Sequence, residues 1–171
     1  MTGVTAWRDG TWHKRCIMNA GEQSLILKAS DALKASLVEI GKKGHFPVTC
    51  TLFREDGDNT GVFLVVNGKV SLSMTRMPGL DRLFGSGSLL GLPSSFTGRP
   101  YSLTAQAITD AEVLHVASEQ FLQLMRGRPE LCSETTGMLG REVTFIQSAL
   151  AERRKQGNSR KVVAHEVAVG Q

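Results

Sequence analysis

The sequence predicts a mainly β domain, closed or folded as two sheets, that is followed by a short helix and one long helix. Two runs rich in β-branched and aromatic residues, 45–55 and 61–75, are separated by a polar turn with glycines. Strands at such short, regular spacing are typical of a closed or double-sheet β structure. From Ser118 onward the pattern becomes helical. The 171 residues, 41% of them apolar, suffice for one domain with a core.

The chain begins with a segment that shows no clear period. Residues 1–24 mix Trp7 and Trp12 with basic side chains, and we interpret them as an arm that leads into the domain or docks on it. A short helix is predicted next, because Ser30 or Asp31 can accept the free N–H groups of its first turn. Its next apolar residues, Leu33 and Leu37, share one face.

Local turn signals divide the strands. Asn67-Gly68 lies between two apolar runs, which predicts a two-residue hairpin with positive φ at the turn. Residues 76–87 indicate a turn, a short extended piece and a loop. The stretch Gly87–Ala107, GSLLGLPSSFTGRPYSLTAQA, reads as a glycine- and proline-rich loop, and strands are predicted within 101–110 and 111–121.

Two helices are predicted after the strands. Ser118 is the expected N-cap of the first. Pro129 and Glu130 suit the first turn of a longer helix, since proline lacks an N–H that would go unpaired there and glutamate complements the helix dipole. We expect this helix to end near Gln156, with Gly157 as its terminator and 157–171 as a basic, flexible tail.

Composition excludes several classes of protein. A net charge of +4 is too modest to indicate a nucleic-acid partner. The three cysteines, Cys16, Cys50 and Cys132, form no C-x-x-C pair, so neither a disulfide framework nor a zinc site is predicted. No window is apolar enough for a membrane span, and the N-terminus has no apolar signal region. We therefore expect a cytoplasmic protein with no membrane partner.

Three segments in this order, 52–74, 87–116 and 121–143, resemble the sensor domain of the cyclic-AMP receptor protein and fumarate and nitrate reduction regulator (Crp/Fnr) superfamily of bacterial transcription regulators. The resemblance covers roughly residues 30–156. It implies a double-stranded β-helix, or jelly roll, of the cyclic nucleotide-binding type over 25–128, and a dimerisation helix over 129–156.

The resemblance also locates an effector cassette. Members of the family that bind cyclic nucleotide have a Gly-Glu pair that contacts the ribose, and later an arginine, followed by Ser or Thr and Ala, that neutralises the phosphate. Here Gly91 matches the glycine, Leu92 stands in place of the glutamate, and Leu103 stands in place of the arginine before Thr104-Ala105. The cassette is therefore interpreted as degenerate, and binding of cyclic AMP or cyclic GMP is not expected.

Other polar groups in the cassette leave room for a different effector. Arg99 is its one cation, and backbone N–H groups from Gly91 to Ser95 could cradle a small polar or anionic molecule. We also expect Gly91 to adopt positive φ or to approach a neighbouring strand closely. The candidate effector-binding residues are Gly91, Leu92, Ser94, Ser95, Arg99, Ser102, Leu103 and Thr104.

Catalytic and redox alternatives find little support. A cupin enzyme needs converging histidines and a carboxylate, and the spacing of His13, His45, His115 and His165 suggests no metal site and no enzyme. Relatives with an iron–sulfur cluster use four cysteines, mostly near the N-terminus, where this chain has only Cys16, so a cluster is disfavoured. Haem stays open, although no residue argues for it.

The long helix carries a heptad pattern that predicts a parallel homodimer. Its seam positions are Cys132, Thr136, Leu139, Val143, Ile146 and Leu150, of which the last four form the predicted interface. The alternative is that these residues simply cover the core.

Two functional hypotheses follow from the resemblance. The family's regulators continue into a helix-turn-helix domain, for which the residues after Gln156 are too few, so no direct DNA binding is expected of this chain. It would be either a stand-alone sensor module that acts through a homodimer or a heterodimer with a full-length relative, or a truncated transcription factor that retains a small-molecule or weak cyclic nucleotide site.

Overall fold

The structure is a computed structural model that describes residues 6–8, 11–13, 27–79 and 81–169, with side chains described over 27–79 and 81–155. It contains two compact units, Met1–Leu139 and Gly140–Gln171. The strands are β1 (Ala6–Arg8), β2 (Thr11–His13), β3 (Lys42–Phe46), β4 (Thr51–Phe53), β5 (Gly61–Asn67), β6 (Val70–Ser73), β7 (Arg82–Phe84), β8 (Leu89–Leu90), β9 (Thr104–Ala107) and β10 (Ala111–Ala117). The helices are α1 (Asp31–Ile40), α2 (Leu92–Thr97), α3 (Ser118–Gly127) and α4 (Pro129–Val169).

Eight of the strands form two antiparallel four-stranded sheets, in the orders β3-β10-β5-β8 and β4-β9-β6-β7. β5, with the sequence GVFLVVN, is buried over its first five residues because β10 and β8 flank it in the sheet. In the second sheet β9 and β6 alternate buried and half-buried residues, as expected when one face of a sheet covers the core. The predicted mainly β, double-sheet jelly roll with a long helix after it is confirmed.

The predicted hairpin at Asn67-Gly68 is wrong. β5 pairs with β10 and β8, whereas β6 pairs with β7 and β9, so the turn connects two different sheets. Gly68 does adopt a φ of 88°, and a Cβ there would collide with the carbonyl oxygen of Asp110. Glycine is thus required here by the positive φ of the turn and by the close approach of a neighbouring loop, and not by pairing between the two strands.

Ser30 is confirmed as the N-cap of α1: its hydroxyl accepts the N–H of Leu33 at 3.2 Å. The same residue contacts α4, because its backbone N–H and its hydroxyl donate to the two carboxylate oxygens of Glu134 at 2.8 and 2.7 Å. Leu33 and Leu37 are fully buried, as their spacing predicts. The cap of the first helix therefore also holds the beginning of the last one.

Two predictions at the later helices need correction. The N-cap of α3 is Ala117, and the hydroxyl of Ser118 instead donates to Asn59 Oδ1 at 3.0 Å. The long helix begins at Pro129 as predicted but continues past Gln156 to Val169. One glycine inside a helix costs only about 1 kcal/mol relative to alanine, so Gly157 alone does not terminate it.

The N-terminal arm predicted over 1–24 contains the antiparallel pair β1 and β2, and its remaining residues lie outside the described part of the chain. The side chains of Trp7 and Trp12, with their predicted docking role, lie outside it as well. Among the described residues, no helix is long and apolar enough to cross a membrane. The predicted domain boundaries otherwise stay predictions.

Candidate effector site

The candidate site is the segment between β8 and β9, residues 91–104, which we call the cassette. The sequence predicts a loop here, but the segment contains the short helix α2. Gly91 and Gly98 bracket this helix with φ values of 83° and 68°. Only glycine adopts these left-handed angles without strain, so the two residues make it possible for one turn of helix to fit between two strands.

The prediction for Gly91 is confirmed. Besides its positive φ, a Cβ at this position would lie 2.9 Å from the carbonyl oxygen of Gly61 and 3.2 Å from Cε1 of Tyr101. Both distances are shorter than an ordinary van der Waals contact. Gly91 therefore lies in close contact with the beginning of β5 and with the ring of Tyr101.

Two leucines stand where the nucleotide-binding relatives carry charged side chains. Leu92 is the first residue of α2 and is only 1% exposed, in the hydrophobic core. Leu103 is half-buried and packs against the same core. Neither side chain can donate or accept a hydrogen bond, so these two positions contribute packing.

Most of the hydroxyl groups predicted to face an effector are hydrogen-bonded within the protein. Ser94 and Ser95 are buried, at 4% and 1% exposure. Ser94 Oγ donates to the carbonyl oxygen of Pro100 at 3.2 Å, and Ser95 Oγ donates to Asn59 Oδ1 at 3.5 Å. Thr104 Oγ1 accepts the N–H of Glu55 at 3.0 Å.

The remaining predicted polar residues point elsewhere. Arg99 and Ser102 are exposed, in the segment between α2 and β9. Glu55, beside Thr104, is held by the N–H of Thr75 at 2.7 Å. Hydrogen bonds from the backbone and the side chain of Thr75 lower the pKa of this carboxyl below its ordinary value. The cassette thus brings together Gly91, Leu92, Ser94 and Ser95, while Arg99 and Ser102 stay at the surface.

Asn59, in the loop before β5, is a residue that the sequence did not single out. Its Nδ2 donates to the carbonyl oxygen of Ser94 at 2.9 Å, while its Oδ1 accepts the N–H of Gly61 at 3.1 Å and the hydroxyl of Ser118 at 3.0 Å. One side chain therefore joins α2, the first residue of β5 and the first residue of α3. A local signal exists, because asparagine in a glycine-rich loop commonly binds nearby backbone.

Tyr101 was also missed. It is 2% exposed, and its ring is stacked on Phe53 with centroids 4.1 Å apart. Its signal in the sequence is incomplete: Tyr101 precedes a serine, as the family's arginine does, but Ser102 is followed by Leu103 and not by alanine. In the structure it is the ring of Tyr101 that reaches Gly91.

The side chains considered for metal or redox chemistry are scattered. Across the described residues no group of three or more His, Cys, Asp or Glu side chains could hold a metal ion. His115 Nε2 lies 3.1 Å from the carbonyl oxygen of Thr60, and its ring packs on Phe63. Cys50 is exposed and Cys132 is half-buried. Cys16 and the side chains of His13 and His165 lie outside the described part of the chain.

The predicted dimer seam contains both packed and exposed residues. Val143 is 53% exposed, whereas Ile146 and Leu150 are half-exposed. Leu139, which belongs to the first unit, packs partly against the hydrophobic core. The four residues therefore remain a predicted interface, with Val143 its most exposed member.

Comparisons with known proteins agree with this geometry. Residues 43–128 match the profile of the family described as cyclic nucleotide-binding domain. The cyclic AMP receptor protein of Thermus thermophilus is 30% identical over 101 residues, which cover 57% of this chain and 47% of that protein. The match therefore spans about half the length of this curated relative.

Solved structures share the fold at lower identity. The catabolite activator protein of Thermus thermophilus superposes with a TM-score of 0.52 at 22% identity, covering 79% of this chain and 62% of that one. A transcriptional regulator of Thermotoga maritima gives a TM-score of 0.60 at 16% identity, covering 68% and 94%. The profile match spans half of the sequence and includes the whole cassette. The chain belongs to the cyclic nucleotide-binding domain family.

Proposed function

We propose that this chain is a non-catalytic regulatory module whose cassette does not bind cyclic nucleotide and which acts through association with protein. The observation that carries the proposal is that the polar groups of the cassette are hydrogen-bonded within the protein. The hydroxyls of Ser94 and Ser95 and the side chain of Asn59 bond to one another or to the backbone. A ligand would have to break these bonds before it could use the same groups.

The loss of charged anchors supports the same conclusion. Leu92 replaces the glutamate of the family pattern, and neither Tyr101 nor Leu103 supplies the positive charge of its arginine. A hydrogen bond to a charged group contributes about 1.5 to 3 kcal/mol, so losing one such anchor weakens binding roughly ten-fold to hundred-fold. Arg99 is exposed, and its side chain is the remaining cation of residues 91–104.

Titration calorimetry with cyclic AMP and with cyclic GMP tests this proposal. We expect no binding heat at ligand concentrations up to the high micromolar range, because no charged side chain within the cassette is buried. A dissociation constant in the micromolar range or below would overturn the proposal. In that case Arg99→Ala would show whether the exposed arginine supplies the missing charge.

Association through α4 is the second part of the proposal. Its support is the heptad spacing of Leu139, Val143, Ile146 and Leu150 together with the exposure of Val143. A parallel homodimer satisfies this pattern, and a heterodimer with a longer relative would use the same residues. The mass of the protein in solution distinguishes these arrangements from a monomer.

A further inference from the structure

Tyr101 is held in the cassette by its backbone on both sides. Its N–H donates to the carbonyl oxygen of Gly57 at 3.0 Å, and its own carbonyl oxygen accepts the N–H of Asp56 at 2.8 Å. Both partners belong to the loop between β4 and β5. The position of the side chain is therefore fixed by the fold and does not depend on the exposed residues next to it.

The ring of Tyr101 fills the space behind Gly91. It stacks on Phe53 at an interplanar angle of 21°, and Phe63 lies on another side with its centroid 6.5 Å away. Its Cε1 lies 3.2 Å from the point where a Cβ of Gly91 would be. The ring thus lies among Phe53, Phe63 and the backbone of Gly91, and we call the space that it fills the slot.

The hydroxyl of Tyr101 uses its full hydrogen-bonding capacity. It donates to the carbonyl oxygen of Gly61 at 2.7 Å and accepts the N–H groups of Gly61 and Thr60 at 3.0 and 3.1 Å. One donor and two acceptor sites are all that a hydroxyl offers. Without this hydroxyl the N–H of Thr60 would be available to an oxygen of a bound molecule, whereas the N–H of Gly61 also donates to Asn59 Oδ1 at 3.1 Å.

We propose that Tyr101 is an internal occupant of the cassette: the slot between Gly91, Phe53 and the beginning of β5 is a phenol-binding site that the chain fills with its own side chain. The inference rests on the proposed function and deepens it, because it names what takes the place of an external effector. Exclusion of ligands then comes from occupancy of the slot as well as from the loss of charged anchors.

Replacement of the side chain followed by addition of a matching small molecule tests the proposal. Tyr101→Ala removes the phenol, and p-cresol, which carries the same ring and hydroxyl, is the probe. We expect p-cresol at millimolar concentration to raise the melting temperature of Tyr101→Ala and to leave that of the unmodified protein unchanged. Toluene, which lacks the hydroxyl, should raise it less. Equal shifts for the variant and the unmodified protein, or none for the variant, would overturn the proposal.

Should Tyr101→Ala fail to fold, Tyr101→Phe keeps the ring and removes only the hydroxyl. Amide hydrogen exchange is then the readout. We expect the exchange rate of the Thr60 amide to rise about ten-fold or more relative to that of Leu64, because its acceptor is lost, and that of the Gly61 amide to rise less, because it also donates to Asn59 Oδ1. Unchanged rates at both amides would overturn the proposal.

These outcomes are separate from those of the proposed function. Calorimetry on the unmodified protein tests whether cyclic nucleotide binds. The p-cresol and exchange experiments test whether Tyr101 fills a site that binds a phenol. Binding of cyclic nucleotide together with rescue by p-cresol would contradict the proposed function and the exclusion of ligands by Tyr101, and would support only the fit of the slot to a phenol. Absence of both would support the proposed function and contradict the internal occupant.

Discussion

The cassette and the seam of the long helix differ in how far their side chains are exposed to solvent. In the cassette, Leu92, Ser95 and Tyr101 are almost completely buried, and the hydroxyls are bonded within the chain. On the helix, Val143 leaves more than half of its surface exposed. The part of this fold that resembles a ligand site is therefore buried and hydrogen-bonded within the chain. The helix that follows the β-roll, in contrast, leaves apolar surface exposed.

The strongest way to break the closed cassette is at its contact with β5. Gly91→Ala places a Cβ 2.9 Å from the carbonyl oxygen of Gly61 at a φ of 83°, where both the neighbour and the backbone angle oppose a side chain. We expect a loss of about 3 kcal/mol in the free energy of unfolding. Urea denaturation followed by circular dichroism measures it.

Gly85→Ala is the matched control for this substitution. A Cβ at Gly85 would meet no atom within 4 Å, so we expect a change within about 0.5 kcal/mol. Equal losses for the two variants would show that the contact between the cassette and β5 is not what makes Gly91 necessary.

A smaller loss is expected at the network around Asn59. Asn59→Ala leaves the carbonyl oxygen of Ser94 and the N–H of Gly61 without this partner, and half-buried polar groups that lose a bond cost about 1 to 3 kcal/mol. We expect about 2 kcal/mol by the same denaturation method. Asn67→Ala, which removes a single exposed bond to the N–H of Gly68, should cost less than 1 kcal/mol. A cost for Asn59→Ala no larger than that would mean that water replaces the network.

Substitutions at the seam of the long helix should hardly change the stability of the fold, but they should change the mass of the assembly. The double variant Ile146→Lys and Leu150→Lys places like charges across a parallel seam, so we expect a folded monomer by light scattering with unchanged strand circular dichroism. The pair Thr144→Lys and Ser148→Lys has the same spacing at exposed positions and should stay dimeric. An unmodified protein that is already monomeric at tens of micromolar would refute the seam, and unfolding of the seam variant would assign these residues to the core.

Much of the fold is encoded in signals that the sequence displays locally. Runs such as GVFLVVN form buried strands, and Ser30 caps its helix as its residue type and position indicate. The prediction of a hairpin at Asn67-Gly68 is wrong for a physical reason. A turn signal reports the backbone angle at Gly68, but which sheet accepts the next strand depends on partners such as β9 that lie far along the chain.

The candidate site was predictable to a similar extent. Gly91 and Leu92 could be identified because one carries a backbone requirement and the other is an apolar residue in a polar motif. For Tyr101 and Asn59 the local signals do not identify the bonding partners, since their hydrogen bonds reach residues 40 and 35 positions away. Their roles follow from how the β-roll closes, which residue type alone does not reveal.

The two hydrogen bonds between Ser30 and Glu134 bear on how the chain folds. They join positions 104 residues apart and so close almost the entire β-roll into one loop. Closing a flexible loop of that length costs about 4 kcal/mol of chain entropy, which leaves little net gain from two exposed hydrogen bonds to a carboxylate. We therefore expect the junction to form after the sheets have shortened the path between its ends, so that a probe at Glu134 follows the completion of folding and not its nucleation.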